Sequence, residues 1–179
     1  GIINTLGEIV LPTIYDSINI EDDGTFTVSK GIAIPCGNDN VVRGLVKGRI
    51  NKNGELIIKN EKGEYVLASK KYDWQEDYNA DGYSKVYYKG YWNTINNNNQ
   101  IVVSIEVEGS ETKFIIPEDY EWGYNGINGF IIVEKDNKQG VINTNYNLIV
   151  NPIYDHIDIL SDNSTLFVCG IIKNKSATF

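Results

Sequence analysis

The sequence predicts an all-β chain made of four tandem β-hairpin repeats. Three observations carry that reading. A tyrosine followed by an acid recurs four times, as Tyr15-Asp16, Tyr72-Asp73, Tyr120-Glu121 and Tyr154-Asp155. The apolar residues are of the kind that favours strands: 26 Ile against 8 Leu and 4 Ala, with 12 Tyr. Such β-branched and aromatic side chains lose rotamer freedom in helices and pack well on a pleated surface. Finally, no segment sustains a 3.6-residue apolar period between caps, while 17 Gly supply the turns that many short strands need.

Each repeat opens on a strand that starts with glycine and ends with asparagine: Gly1 to Asn4, Gly48 to Asn51, Gly90 to Asn93 and Gly140 to Asn143. Turn residues follow, among them Gly7, Gly54, Asn96 to Asn99, and Asn145 to Asn147, which tolerate the left-handed backbone of a hairpin. A second strand comes next, at Glu8 to Leu11, Glu55 to Ile58, Gln100 to Val103 and Asn147 to Val150. Repeats one and four then run straight to their anchors. Pro12 and Pro152 have no N–H to donate and are expected to end strands at a sheet edge. Repeats two and three insert extra residues here, read as longer hairpins around Glu61 to Gly63 and Glu108 to Ser110. A fourth, apolar strand closes each repeat: Phe26 to Val28, Tyr83 to Tyr88, Phe130 to Val133 and Leu166 to Val168. Gly170 to Lys173 looks like the start of a fifth unit. The units span about 1–47, 48–89, 90–139 and 140–179 of a single domain. One unit cannot bury its apolar face alone, so the expected assembly is a curved open array or a small closed propeller.

These residues resemble the bacterial WG-repeat family. Its unit has a Trp-Gly pair opening a hairpin, then an Ile-Pro-x-Tyr-Asp-like segment, then an apolar strand. The likeness is good for Gly1 to Ile18 and Gly140 to Ile157 and weaker in the middle units. The tryptophan before the opening glycine is missing: Lys47, Lys89 and Gln139 stand in its place, which marks a divergent member. The resemblance implies a β-repeat fold and a binding role, and it brings no catalytic residue with it.

Composition narrows the function. Net charge is −8, which repels nucleic acid and anionic membranes and favours a basic partner. No apolar run approaches the roughly 18 residues of a membrane span, and no signal peptide is expected within the given residues. The chain has no Met and begins at Gly1, so a processed product or a piece of a longer chain is expected. The bacterial cytoplasm is favoured slightly over a secreted or surface setting. Cys36 and Cys169, the two cysteines, lie far apart and outside any C-x-x-C pair. Buried free thiols are the expectation for both.

Several residues invite chemistry. Asp77, Asn79 and Asp81, followed by Gly82, match the first half of a calcium loop, but Tyr88 stands where a bidentate Glu belongs. We therefore expect no metal and no cofactor. His156, the single histidine, occupies a repeat position that also holds Ser17, Trp74 and Trp122, so a catalytic role is not expected. The anchor acids are expected to accept backbone N–H bonds. The aromatic set is the candidate ligand-binding site: Trp74, Trp92, Trp122, Tyr78 and Tyr124. Its tryptophans lie in the middle repeats, which also carry the insertions, and insertions in repeats tend to map to a binding face. Either these rings fill the core or they form a partly exposed face for a peptide or sugar. The function read from the sequence is a non-enzymatic module binding a protein. A carbohydrate-binding module and an acidic protein that neutralises a basic toxin are the alternatives.

Overall fold

β-Branched alternation and closely spaced turns break the chain into short strands, and every element among the described residues is a strand. The computed structural model describes residues 1–35, 41–107, 109–124, 126–161 and 165–171. It contains two compact units, Gly1–Asn97 and Asn98–Phe179, with the boundary inside the turn of repeat three's opening hairpin.

In the first unit, β1 (Ile2–Ile3) and β2 (Ile9–Leu11) form a hairpin. A five-stranded antiparallel sheet follows in chain order: β3 (Ser17–Ile20), β4 (Phe26–Pro35), β5 (Val41–Ile50), β6 (Leu56–Lys59) and β7 (Tyr65–Leu67). Then β8 (Trp74–Gln75), β9 (Tyr83–Tyr88) and β10 (Tyr91–Asn96) pair antiparallel. The core of this unit gathers Leu11, Phe26, Val28, Ile32, Val46, Ile50, Trp74 and Tyr87.

In the second unit, β11 (Ile101–Val107) pairs antiparallel with β12 (Ser110–Ile115). After β13 (Trp122–Gly123) comes β14 (Gly126–Ile127), which lies parallel to β11. Strands β15 (Phe130–Lys135), β16 (Lys138–Asn143) and β17 (Leu148–Tyr154) continue antiparallel, and β18 (His156–Ser161) pairs with β19 (Thr165–Gly170). Ile105, Ile131, Val133, Val141 and Ile157 are fully buried here.

The repeat is a backbone device. The N–H of each anchor acid donates across the following hairpin: Asp16 to Ser29 O, Asp73 to Tyr87 O, Glu121 to Glu134 O and Asp155 to Gly170 O, at 2.8–2.9 Å. The carboxylates were expected to take backbone N–H groups. That holds for Asp73, which accepts the Lys89 N–H at 2.9 Å. Asp16 likewise takes a backbone hydrogen bond from Gly31 and also pairs with Arg43, while Asp155 pairs with Lys138.

A second device closes the hairpins. Asn4, Asn51, Asn60 and Asn79 each use Oδ1 to accept the N–H groups two and four residues on. Three residues on, Gly7, Gly54, Gly63 and Gly82 adopt φ of 77–83°, a region open to glycine at little cost. Asn143 makes the same turn with Tyr146 in the left-handed position, at φ 64°.

Glycine also opens the strands for a steric reason. A Cβ on Gly1 would lie 2.8 Å from Leu11 O, and one on Gly140 would lie 2.7 Å from Val150 O. Only a residue without a side chain admits the partner strand at that distance.

Two expectations change in detail, at Pro152 and at Cys169. Pro12 follows directly on β2, as predicted, but Pro152 lies inside β17. There the register shifts between Val141 and Gln139, so the ladder does not need the missing N–H. The insertions do form hairpins, β6–β7 and β11–β12. Cys169 is exposed, not buried, because β18 and β19 form a two-stranded sheet that leaves the end of β19 uncovered. Cys36 lies outside the described residues, as does the end of the Gly170 to Lys173 segment.

Candidate functional site

The five aromatic candidates divide between the units. Trp74 sits in β8 and is 3% exposed, and Trp122 sits in β13 and is likewise 3% exposed. Of the two readings, these two rings fill the core and do not form an exposed face. Both residues of each two-residue strand are buried, so β8 and β13 are covered on both sides and their indoles become core. The Trp74 ring fits against Gly48 so closely that a Cβ there would collide with it. Trp92 is half-buried against the same cluster, its ring centroid 5.4 Å from that of Tyr87. The Tyr87 hydroxyl in turn donates to Ala33 O.

Tyr78 is half-buried and donates to Asn96 O at 3.3 Å. Burial, and then the nearby charge of Glu61, push its phenol above the ordinary value, against a hydrogen bond from Gln75 that lowers it. In the second unit Tyr124 is half-buried and donates to Glu134 Oε2 at 3.0 Å. The structure thus brings Trp74 and Trp92 into one cluster and gives the two tyrosines hydrogen-bonding roles.

The calcium-like segment is a hairpin turn. Asp77 Oδ1 accepts the Lys59 N–H at 2.8 Å, and Asn79 Oδ1 accepts from Asp81 and Tyr83 N–H at 3.1 and 2.9 Å. These oxygens are spent on the backbone of β6 and of the β8–β9 connection. His156 is exposed, with Nε2 3.1 Å from Asp158 Oδ1.

An accessible surface exists on the first unit, away from the tryptophans. Strand β7 is the last of the five-stranded sheet, and Tyr65, Val66 and Leu67 are 47%, 39% and 53% exposed. Beside it a groove of about 650 Å³ is lined by Lys47, Arg49, Ile58, Tyr65, Glu76 and Asp77, among others. Arg49 pairs with Asp23 at 2.6 Å and lies 5.1 Å over the Tyr65 ring, which Lys59 also approaches at 5.3 Å. Hydrogen bonds from Thr25, and then Arg49, hold the Asp23 carboxyl below its ordinary value. Sequence reasoning did not name β7. The signal was the insertion in repeat two, whose turn at Gly63 was read but whose second strand was not assigned a role.

The repeat geometry can now be set beside known proteins. The family model described as WG containing repeat matches residues 1–31 and 140–169. These two segments of the chain are similar to the WG-containing repeat. No curated protein and no solved structure matches the chain. The matched WG-type segments are repeats one and four. The middle repeats share their defining bond, from the anchor acid N–H across the next hairpin. Before the opening glycine of the second matched segment, Gln139 uses Oε1 to accept the Ile157 N–H at 2.7 Å. A polar side chain there ties the fourth repeat's second hairpin to its first.

Proposed function

We propose that the chain is a non-enzymatic bacterial binding module whose β7 edge takes up a strand from a protein partner. The observation behind this is the exposure of all three apolar residues of β7 at the end of a five-stranded sheet. An edge strand presents unpaired N–H and C=O groups, and an incoming strand gains main-chain hydrogen bonds there while its side chains fill adjoining pockets. The groove along Tyr65 and Ile58 offers such a pocket. Net charge of −8 favours a basic partner through long-range attraction. A basic toxin neutralised by this chain is one form of that reading.

The test uses the chain as bait. A captured protein is identified, purified and titrated back against the wild type and against Val66→Lys, since charge on an edge strand blocks strand pairing. The expected result is at least about a tenfold loss of affinity with an unchanged melting temperature, and weaker binding at higher salt. Equal affinity of wild type and Val66→Lys removes the β7 reading.

A further inference from the structure

We propose that copies of this chain join head to tail, the β19 edge of one copy taking up strand β1 of the next. The template for this contact lies inside the chain. Three times the closing strand of one repeat pairs antiparallel with the opening strand of the next: β4 with β5, β9 with β10 and β15 with β16. Two strands have no such partner among the described residues. Strand β1 pairs only with β2, and β19 only with β18, each in a two-stranded sheet.

The anchor bonds align the closing strands. Their acceptors Ser29, Tyr87, Glu134 and Gly170 hold one place in the repeat. The residues just before them, Val28, Val86, Val133 and Cys169, therefore hold another. Val28, Val86 and Val133 are 0–1% exposed, whereas Cys169 is exposed. The opening strands align on the asparagine that ends each, and the residue before it is Ile3, Ile50, Ile95 or Ile142. Ile50, Ile95 and Ile142 are 0–1% exposed, whereas Ile3 is 67% exposed. Each half of the pairing is buried wherever the other half is present and exposed where it is absent.

The three internal junctions also share one register. Val28 lies opposite Gly48, Val86 opposite Asn93 and Val133 opposite Gly140. Phe26 lies opposite Ile50, Ser84 opposite Ile95 and Ile131 opposite Ile142. In repeat three Asn93, rather than Gly90, thus occupies the place of the opening glycine. Carried to the contact between copies, this register sets Cys169 opposite Gly1, Val168 opposite Ile2 and Phe167 opposite Ile3. Phe167 is already placed against Phe130, with ring centroids 5.3 Å apart, so this part of the β19 face exists before a partner arrives. An edge strand offers free N–H and C=O groups for such pairing, and stacked repeats bury a core that one unit cannot. The two joined surfaces differ, so the contact is heterologous and can be repeated from copy to copy.

The experiment is sedimentation velocity of the 179-residue chain from micromolar to millimolar concentration, with enough salt to screen the repulsion between copies of net charge −8. The mass should rise with concentration above that of one chain. Ile3→Lys and Cys169→Lys change exposed side chains, so each should keep the wild-type melting temperature. Each alone should weaken association at least about tenfold, because charge on an edge strand blocks pairing. Mixed, the two variants should form one-to-one dimers and nothing larger, since each retains the surface that the other has lost. Val66→Lys should associate as the wild type does, which separates this contact from strand uptake at β7. Four results overturn the proposal: the wild type stays a single chain at every concentration, either end variant associates as the wild type does, the mixture fails to dimerise, or Val66→Lys abolishes association.

Discussion

The end repeats and the middle repeats use one backbone lock and pack around it in two ways. In repeats one and four the residue after the anchor acid is Ser17 or His156, both exposed. In repeats two and three it is Trp74 or Trp122, both 3% exposed. The hydrogen bond from the anchor acid N–H is the same in all four. What differs is cover. The insertion after β6 returns to β8, where Ser69 N–H meets Gln75, and the insertion after β11 returns to β13, where Ile116 packs on Gly123. An added strand therefore turns a solvent-facing position into a core position without altering the hydrogen bonds that define the repeat.

The largest break in this contrast comes from truncating the tryptophans. Trp74→Ala and Trp122→Ala should each cost about 3–5 kcal/mol, as for a buried aromatic. His156→Ala should stay within about 0.5 kcal/mol, as for a surface change. Chemical denaturation of the three variants measures this, and similar losses at His156 and Trp74 would show that the end and middle positions are not different in kind. Gly48→Ala comes next. The new methyl meets the Trp74 ring, and overpacking of this sort costs about 1–3 kcal/mol. A neutral result would mean that the indole is free to shift.

A pH series gives a smaller effect. Burial raises the phenols of Tyr15, Tyr72, Tyr87 and Tyr120 above their ordinary value, with Tyr78 and Tyr88 adding to the shift at Tyr72. The folded state thus holds these protons more tightly than the unfolded chain, whose tyrosines titrate near pH ~10. The stability tied to them is complete below that pH and is lost as pH rises through the folded-state values. Melting temperature should fall above about pH 10, less steeply in Tyr72→Phe than in the wild type. At neutral pH, Tyr72→Phe should be the mildest change, neutral or stabilising by up to about 1 kcal/mol, because the hydroxyl it removes is buried without a partner.

The repeat was readable because its devices are local in sequence. The opening glycine, the turn asparagine and the Tyr-acid pair each sit at fixed offsets, and each proved to have a backbone job. The anchor tyrosines share a repeat position but not a depth: Tyr72 is 8% exposed, while Tyr15, Tyr120 and Tyr154 are half-buried. Burial depends on which strand lies over a residue, and offsets along the chain do not encode that. The same reason explains the tryptophans, whose position in the repeat was legible and whose cover was not. The exposed feature of repeat two's insertion is β7, while the aromatic residue it helps to enclose is Trp74.

The asparagine turns bear on how the chain reaches this state. Each is closed by atoms of five neighbouring residues, so forming it requires almost no search through distant parts of the chain. All-β topologies fold slowly when their contacts are far apart in sequence, whereas an isolated hairpin forms in about 1–10 μs. With five hairpins each able to start from its own asparagine, the slow step shifts to docking preformed hairpins through the anchor bonds. Replacing a turn asparagine should then slow refolding more than it speeds unfolding, whereas loss of an anchor contact, made as the hairpins dock, should divide its effect between the two rates.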